Sequence, residues 1–236
     1  MKQIQINEVK IDIIQKDIKN VHLSVYPPTG RVKISAPNRM DMDTIRIYAI
    51  SKLSWIRNHQ KKFKKQERET VRDYVSNESH YYNGKRYLLK VIEHNAPPKV
   101  ALKHSTIELY VRSDSSKERK QTVMENWYRN ELKSRATELL PKWEKRMNVS
   151  VNEIGIKKMR TKWGTCNSER KRIWLNLELS KKPPQCIEYI LVHEMVHFFE
   201  KNHNNQFIAY LNKYLPRWRI YKEELNRIPL GYVEWG

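Results

Sequence analysis

Along the first forty residues, apolar and polar positions alternate in short runs. Residues 4–14 alternate in part, residues 21–26 are rich in β-prone side chains, and residues 32–35 follow the turn signal Pro27-Pro28-Thr29-Gly30. This spacing predicts a hairpin or meander. From Asp41 the period changes. Ile45, Ala49, Leu53, Ile56 and Phe63 recur at intervals near three and four, and Asp41 or Asp43 can cap the start. That predicts one amphipathic helix of roughly 25 residues. Strand-like spacing returns at 87–92, 100–102 and 107–111, punctuated by Asn83-Gly84 and Pro97-Pro98. A second long helical pattern then runs through Val123, Trp127, Leu132, Ala136, Leu139, Leu140, Trp143 and Met147, with a kink or break expected at Pro141. It is expected to bridge the β-rich front to the back third. There, 153–158 and 172–177 read as strands, and 187–200 as a helix beginning just after Pro183-Pro184. No internal repeat or low-complexity tract shows in the sequence.

Composition adds a strong charge to this picture. The 236 residues carry 46 Lys and Arg against 26 Asp and Glu, a formal charge of +20. Mean hydropathy is −0.82, yet 7 Trp and 13 Tyr remain to fill a core, which argues against global disorder. No stretch approaches the ~20 apolar residues needed to cross a bilayer, and no apolar run follows the first lysine as in a secretory leader. Neither membrane insertion nor secretion is expected. Cys166 and Cys186 are too few for a disulfide framework and too far apart for a cysteine zinc knuckle, so they read as reduced thiols of a cytoplasmic protein. With no Gly/Ser-rich stretch, the chain divides on this reading into a β-rich N-terminal region, 1–115, with one basic amphipathic helix, and a second region, 116–236. Residues 57–72 carry seven Lys or Arg and two acidic side chains. They read as a solvated face, with a track along a phosphate backbone as the alternative.

Chemistry concentrates at His193-Glu194-Met195-Val196-His197, in the middle of the last predicted helix. At about 100° per residue, positions i and i+4 share a helix face, so both imidazoles can converge on one cation. Glu194, one step round, can hold a water without ligating the metal itself. Two polar histidines on a surface, with Glu194 in a local salt bridge, would be the purely structural reading. Against it, Ile187, Ile190, Leu191, Val196, Phe198 and Phe199 make the helix apolar nearly all round, and buried polar groups need partners that a cation supplies together. A catalytic zinc has three protein ligands and one open position. His203, ten residues after His193, fits the third; Glu223 or Glu224, on a following helix, is the alternative. Metzincins place glycine at the turn where this chain has Glu200, and Asn202 is the next residue suited to a left-handed reversal.

Linked motifs around this site resemble the YgjP-like metallopeptidase family, a zincin-type group. They are the run Met159-Arg160-Thr161-Lys162-Trp163-Gly164-Thr165-Cys166-Asn167-Ser168, then Ile173-Trp174-Leu175-Asn176-Leu177-Glu178-Leu179, the His193–His197 motif, Asn202-His203, and Phe207. The resemblance is strong over 120–226 and extends to the front through Trp55-Ile56 and Trp127-Tyr128. It implies an α+β fold with a C-terminal zincin-like metallopeptidase core, His193, His197 and His203 as zinc ligands, and Glu194 as the catalytic carboxylate. The family is similar in turn to SprT-like metallopeptidases, which act on proteins bound to DNA.

The expected activity is hydrolysis of a peptide or protein by a zinc-activated water with Glu194 as general base. Arg160, Lys162, Tyr210 and Tyr214 are candidates to steady the oxyanion, against readings as solvated cations and packing aromatics. Trp163-Gly164 is expected to form a tight turn on the zinc helix, with Cys166 a small buried filler. The competing function is a basic module that binds nucleic acid non-specifically through its surface charge, its metal structural or vestigial.

Overall fold

The computed structural model describes residues 2–26, 29–65, 72–159 and 162–227, and only the backbone of 62–65 and 227. Asn7 adopts a left-handed φ of 52°, so the segment read as 4–14 doubles back as an antiparallel hairpin of β1 (Lys2–Ile6) and β2 (Val9–Lys16). Strand β3 (His22–Tyr26) pairs antiparallel with β4 (Arg31–Pro37), and β4 lies parallel to β2. The resulting order is β1-β2-β4-β3. Alternation along β2 and β4 sends Ile11, Ile13, Val32, Ile34 and Ala36 into a core shared with Ile45, Ala49 and Ile56.

Those last three belong to two helices, where the spacing predicted one. α1 (Met42–Ser51) and α2 (Leu53–Lys65) are separated at Lys52, whose N–H bonds the carbonyl of Ala49 three residues back. The Ser51 hydroxyl donates to the carbonyl of Tyr48 at 2.8 Å, a local bond of the kind that competes with the helical ladder. Asp41 caps α1 by accepting from Thr44 N–H. The side chain of Phe63 and most of the basic run at 57–72 lie outside the described residues.

The backbone packs as two units, Met1–Glu67 and Arg68–Gly236. In the second, β5 (Ser79–Tyr82), β6 (Lys85–Glu93), β7 (Lys99–Leu102) and β8 (Thr106–Val111) form a sheet of order β5-β6-β8-β7. Its pairings are antiparallel, parallel and antiparallel, as in the first sheet. The topology is therefore repeated although no sequence repeat marks it. Loop chemistry differs between the copies: Asn83 (φ 49°) and Gly84 (φ 77°) make a tight turn in the second, where the first has Asn7-Glu8.

Helix α3 (Lys117–Met147) starts at the Ser116 cap and ends at Asn148 in the left-handed region. It remains helical through Pro141, so the expected break does not occur. Its buried stripe of Met124, Tyr128, Leu132, Ala136, Trp143 and Met147 joins β6 and β8 in one core with the C-terminal elements. The sheet of β5–β8 and the segments after residue 115 thus share a core. Those C-terminal elements are β9 (Glu153–Lys157), β10 (Gly164–Asn167), β11 (Arg172–Asn176), a short 3₁₀ turn (Leu177–Lys181), α4 (Pro184–Val196), α5 (Asn205–Tyr214) and α6 (Trp218–Arg227). The third sheet has the order β10-β11-β9, with β10 at an edge. The described residues thus form an α+β protein of six α-helices and three mixed sheets. None of the helices is long and apolar enough to cross a membrane.

His80 on β5 is 4% exposed, and its Nε2 has no hydrogen-bond partner among the described residues. Its ring nitrogen lies 3.8 Å from Glu78, but that carboxylate is engaged by the N–H groups of Asp73, Tyr74 and Val75 and lies 3.6 Å from Arg72. Burial, followed by the charges of Arg72 and Lys181, pushes the His80 imidazole down to about 3. The folded state therefore holds it neutral while the unfolded chain binds its proton near the usual 6.5. Stability contributed by this group is full above about 6.5 and is lost as pH falls from there toward 3, at up to about 1.4 kcal/mol per pH unit. Urea unfolding at pH 7, 6 and 5 is expected to show a smaller pH slope for His80→Gln than for the parent protein. Equal slopes would remove His80 as the cause.

Candidate metal centre

Pro184 opens α4 at a position where its missing N–H costs nothing. The helix buries Cys186, Ile187, Tyr189, Ile190, Leu191, Val192, Met195 and Val196, and packs on α3, α5, α6, β10 and β11. Glu188, the acidic side chain that faces α3, accepts from Trp143 Nε1 at 3.0 Å and Lys142 Nζ at 2.7 Å. An element enclosed on so many sides carries His193 and Glu194 inward with it.

The helix ends at Val196, earlier than the spacing suggested, and His197 is its C-terminal cap. The motif therefore occupies the last turn. No residue between 198 and 204 has positive φ, so Asn202 does not make the left-handed reversal. Instead, Phe198 and Phe199 bond back three residues to Met195 and Val196, and the Glu200 carboxylate accepts from Asn202 N–H at 2.9 Å. That bond holds the Glu200 carboxyl below its ordinary range. Asn204 then caps α5 by accepting from Phe207 N–H. A glutamate side chain closes the turn where glycine would have relied on backbone freedom.

This path returns His203 to the end of α4. The ring centroids of His193, His197 and His203 lie 4.8–5.1 Å apart, and a ligand-capable atom of each lies within 4.8 Å of the others. His203 Nε2 is 3.0 Å from His193 Nε2. His197 Nδ1 lies 3.0 Å from the Glu200 carbonyl; donating there leaves the Nε2 lone pair free to face a cation, the arrangement usual for a ligating imidazole. Burial first, and then the charges of His197, His203 and Lys222, push His193 down to about 3. His203 is lowered by burial, His197 and Lys222. Neutral imidazoles are the form that binds metal, so this donor set suits zinc. Glu224, one alternative third ligand, is occupied by Gln185 Nε2 at 2.8 and 3.0 Å. Glu223 is exposed and outside the histidine cluster.

Glu194 is 5% exposed, and burial raises its carboxyl to about 8 against the opposing charge of Lys162. Facing it is Gly164, the first residue of β10. A Cβ there would lie 2.6 Å from Glu194 Oε1 and 2.8 Å from its Cγ, so glycine serves close approach rather than backbone conformation. Trp163-Gly164 thus leads into an edge strand, where a tight turn was expected. Cys166 on that strand is half-buried and lines the cleft instead of filling the core. Its thiol is pushed up to about 11, by burial and then by Glu194. The loop before β10 is pinned by Asn176. Its Nδ2 donates to the carbonyls of Met159 and Lys162, and its backbone N–H donates to that of Trp163. Gly164→Ala is expected to displace the Glu194 carboxyl and, if that group works on a substrate, to lower the rate by about 10²-fold, the order of effect of a 1 Å misplacement. The measurement is kcat with metal content in parallel, because the three imidazoles are untouched and any cation they hold should stay.

A cleft of about 560 Å³ opens over these groups. Beyond the predicted residues its lining includes Tyr189, Lys201, Lys222 and Leu225. Tyr189 stands one turn before His193, a signal the sequence offered through i−4 spacing; the others come from neighbouring elements. Of the oxyanion candidates, Lys162 lines the cleft, whereas Tyr210 and Tyr214 stack with Phe199 at centroid distances of 5.1 and 6.2 Å. Arg160 and Thr161 lie outside the described residues.

The model of the YgjP-like metallopeptidase domain matches residues 19–228. Among solved structures, the metallopeptidase zymogen abylysin of Pyrococcus abyssi is 17% identical over 38% of this chain and 90% of that chain, with a TM-score of 0.36. The zymogen jannalysin of Methanocaldococcus jannaschii is 26% identical over 40% and 92%, with a TM-score of 0.32. No curated protein matches the sequence.

Proposed function

The chain belongs to the YgjP-like metallopeptidase family, and on that premise we propose that it is a zinc-dependent peptidase with a zincin-like core in its C-terminal part. The observation that carries this reading is the convergence of three imidazoles in a cleft that one buried carboxyl also lines. His193, His197 and His203 would hold the metal. Bound there, zinc lowers the pKa of a water toward about 7 and polarises a substrate carbonyl. Glu194, fixed against Gly164 and kept ionised by the neighbouring cation, would take the proton as the water oxygen bonds the scissile carbon, and return it to the nitrogen as the C–N bond breaks. β10 offers an unpaired strand edge along the same cleft, suited to an extended peptide backbone.

The test is elemental analysis of the purified protein joined to an assay on an unfolded protein substrate. About one zinc per chain is expected, with cleavage stopped by a chelator and restored by zinc. Folded protein that refuses added zinc would overturn the reading.

The charge of +20 favours a second, compatible reading in which the enzyme meets substrates near nucleic acid. Salt-dependent DNA binding that persists in Glu194→Gln would support it, and binding that is absent or insensitive to salt would remove it.

A further inference from the structure

Three lysines reach the cleft from three different elements. Lys162 stands at the entry to β10, Lys201 in the turn after α4, and Lys222 on α6, where its ammonium lies 5.7 Å from the Trp218 ring. All three are exposed, and none forms an ion pair with a described residue. Among the described residues, the single acidic side chain lining the cleft is the buried Glu194, which the mechanism already uses. Elsewhere in the same unit, Lys142, Lys158 and Lys181 are paired with Glu188, Glu125 and Glu178. Among the described residues the cleft therefore has three cations on its rim and one buried carboxyl as its only acidic group. Its walls include the apolar surfaces of Trp163, Ile190 and Leu225, and low-dielectric walls concentrate such a field in the space a substrate would occupy.

We infer that Lys162, Lys201 and Lys222 select substrates bearing carboxylates near the scissile bond. This rests on the peptidase reading above. The carboxylate can come from Asp or Glu side chains or from a peptide C-terminus, and the same ammonium groups would pair with either. Exposed ion pairs are individually weak, so each lysine contributes up to about fivefold in kcat/KM and the three together tens of fold. Salt screens such pairs, so the preference narrows as ionic strength rises.

The experiment incubates the zinc-loaded full chain with a mixed peptide pool and identifies cleavage sites by mass spectrometry. Peptides with amidated C-termini form a second arm. Acidic residues enriched beside cleavage sites in both arms assign the side-chain carboxylate, whereas enrichment lost on amidation assigns the terminus. The triple change Lys162→Glu, Lys201→Glu and Lys222→Glu should reverse the preference, while Lys103→Glu in the β7–β8 turn should leave it unaltered. If the triple variant unfolds by circular dichroism, Lys222→Gln alone serves, with about fivefold loss expected on acidic peptides. Fluorescence polarisation of labelled acidic and neutral peptides on Glu194→Gln gives a readout independent of turnover, and the acidic peptide should bind tighter at low salt. Cleavage without charge preference, or a preference the lysine changes do not move, overturns the inference alone. Absence of any cleavage overturns the peptidase reading and this inference with it.

Discussion

Replacing Glu194 by glutamine is expected to lower peptide hydrolysis by about 10²–10⁴-fold, the contribution typical of a positioned general base, while zinc stays at its parental content. The substitution suits this site because glutamine has the same shape, and Gly164 leaves room for that shape and little more. The amide cannot accept the water's proton. It also carries no charge to bury, and burial is what raises the Glu194 carboxyl to about 8. Thermal stability should therefore be unchanged or higher in the variant, which separates loss of chemistry from loss of fold. Activity that survives with zinc in place would show that another group takes the proton. Activity lost together with zinc would make Glu194 part of the metal's support instead.

The sequence made some of this site legible because its spacing and its chemistry lie on one element. His193 and His197 are one turn apart on a helix whose apolar surround betrays burial, and His203 follows within ten residues. The rest depends on long-range packing. Gly164 matters because β10 passes the end of α4 at contact distance, and Lys222 and Leu225 reach the cleft because α6 packs on α4. No local period encodes those approaches. Asn202 was a reasonable candidate for a left-handed turn, but the Glu200 carboxylate supplies the closing hydrogen bond and makes that conformation unnecessary. The fold divides the same way. The spacing located β3, β4, β6, β7, β8, β9 and β11 but not β5 or β10; β7 is equally short but follows the Pro97-Pro98 turn signal, whereas Gly164-Thr165-Cys166-Asn167 of β10 has no apolar alternation to read. The break at Lys52, beside the Ser51 hydroxyl that bonds the Tyr48 carbonyl, and the continuity of α3 past Pro141, with Ala136, Trp143 and Met147 buried around it, leave no mark on the local period. The repeated sheet topology stayed hidden because alternation fixes which face is buried, and not which strands pair.

Loss of zinc on single replacement of His193, His197 or His203 by alanine is the other large effect expected, and His203 decides between two kinds of centre. His193 and His197 are placed by α4, so their loss should abolish stoichiometric binding under either account. His203 is exposed and owes its position to the Glu200 turn and to the Asn204 cap. If it is the third ligand, His203→Ala weakens zinc well beyond the ~10–100-fold that removal of an outer hydrogen-bonding partner costs. Glu224→Gln should then bind zinc as the parent does, because the Glu224 carboxylate accepts from Gln185 and is not part of the histidine cluster. Competition against a chromophoric chelator measures both. A glutamate-type centre predicts the reverse, with His203→Ala retaining zinc and Glu223→Gln or Glu224→Gln losing it. That outcome would require α6 to turn, releasing Gln185 to present a carboxylate to the cleft. The 3.0 Å approach of His203 Nε2 to His193 Nε2 weighs against it. Two ring nitrogens this close share one proton or one cation, and the Glu200 carbonyl facing His197 already orients the third imidazole toward the same point.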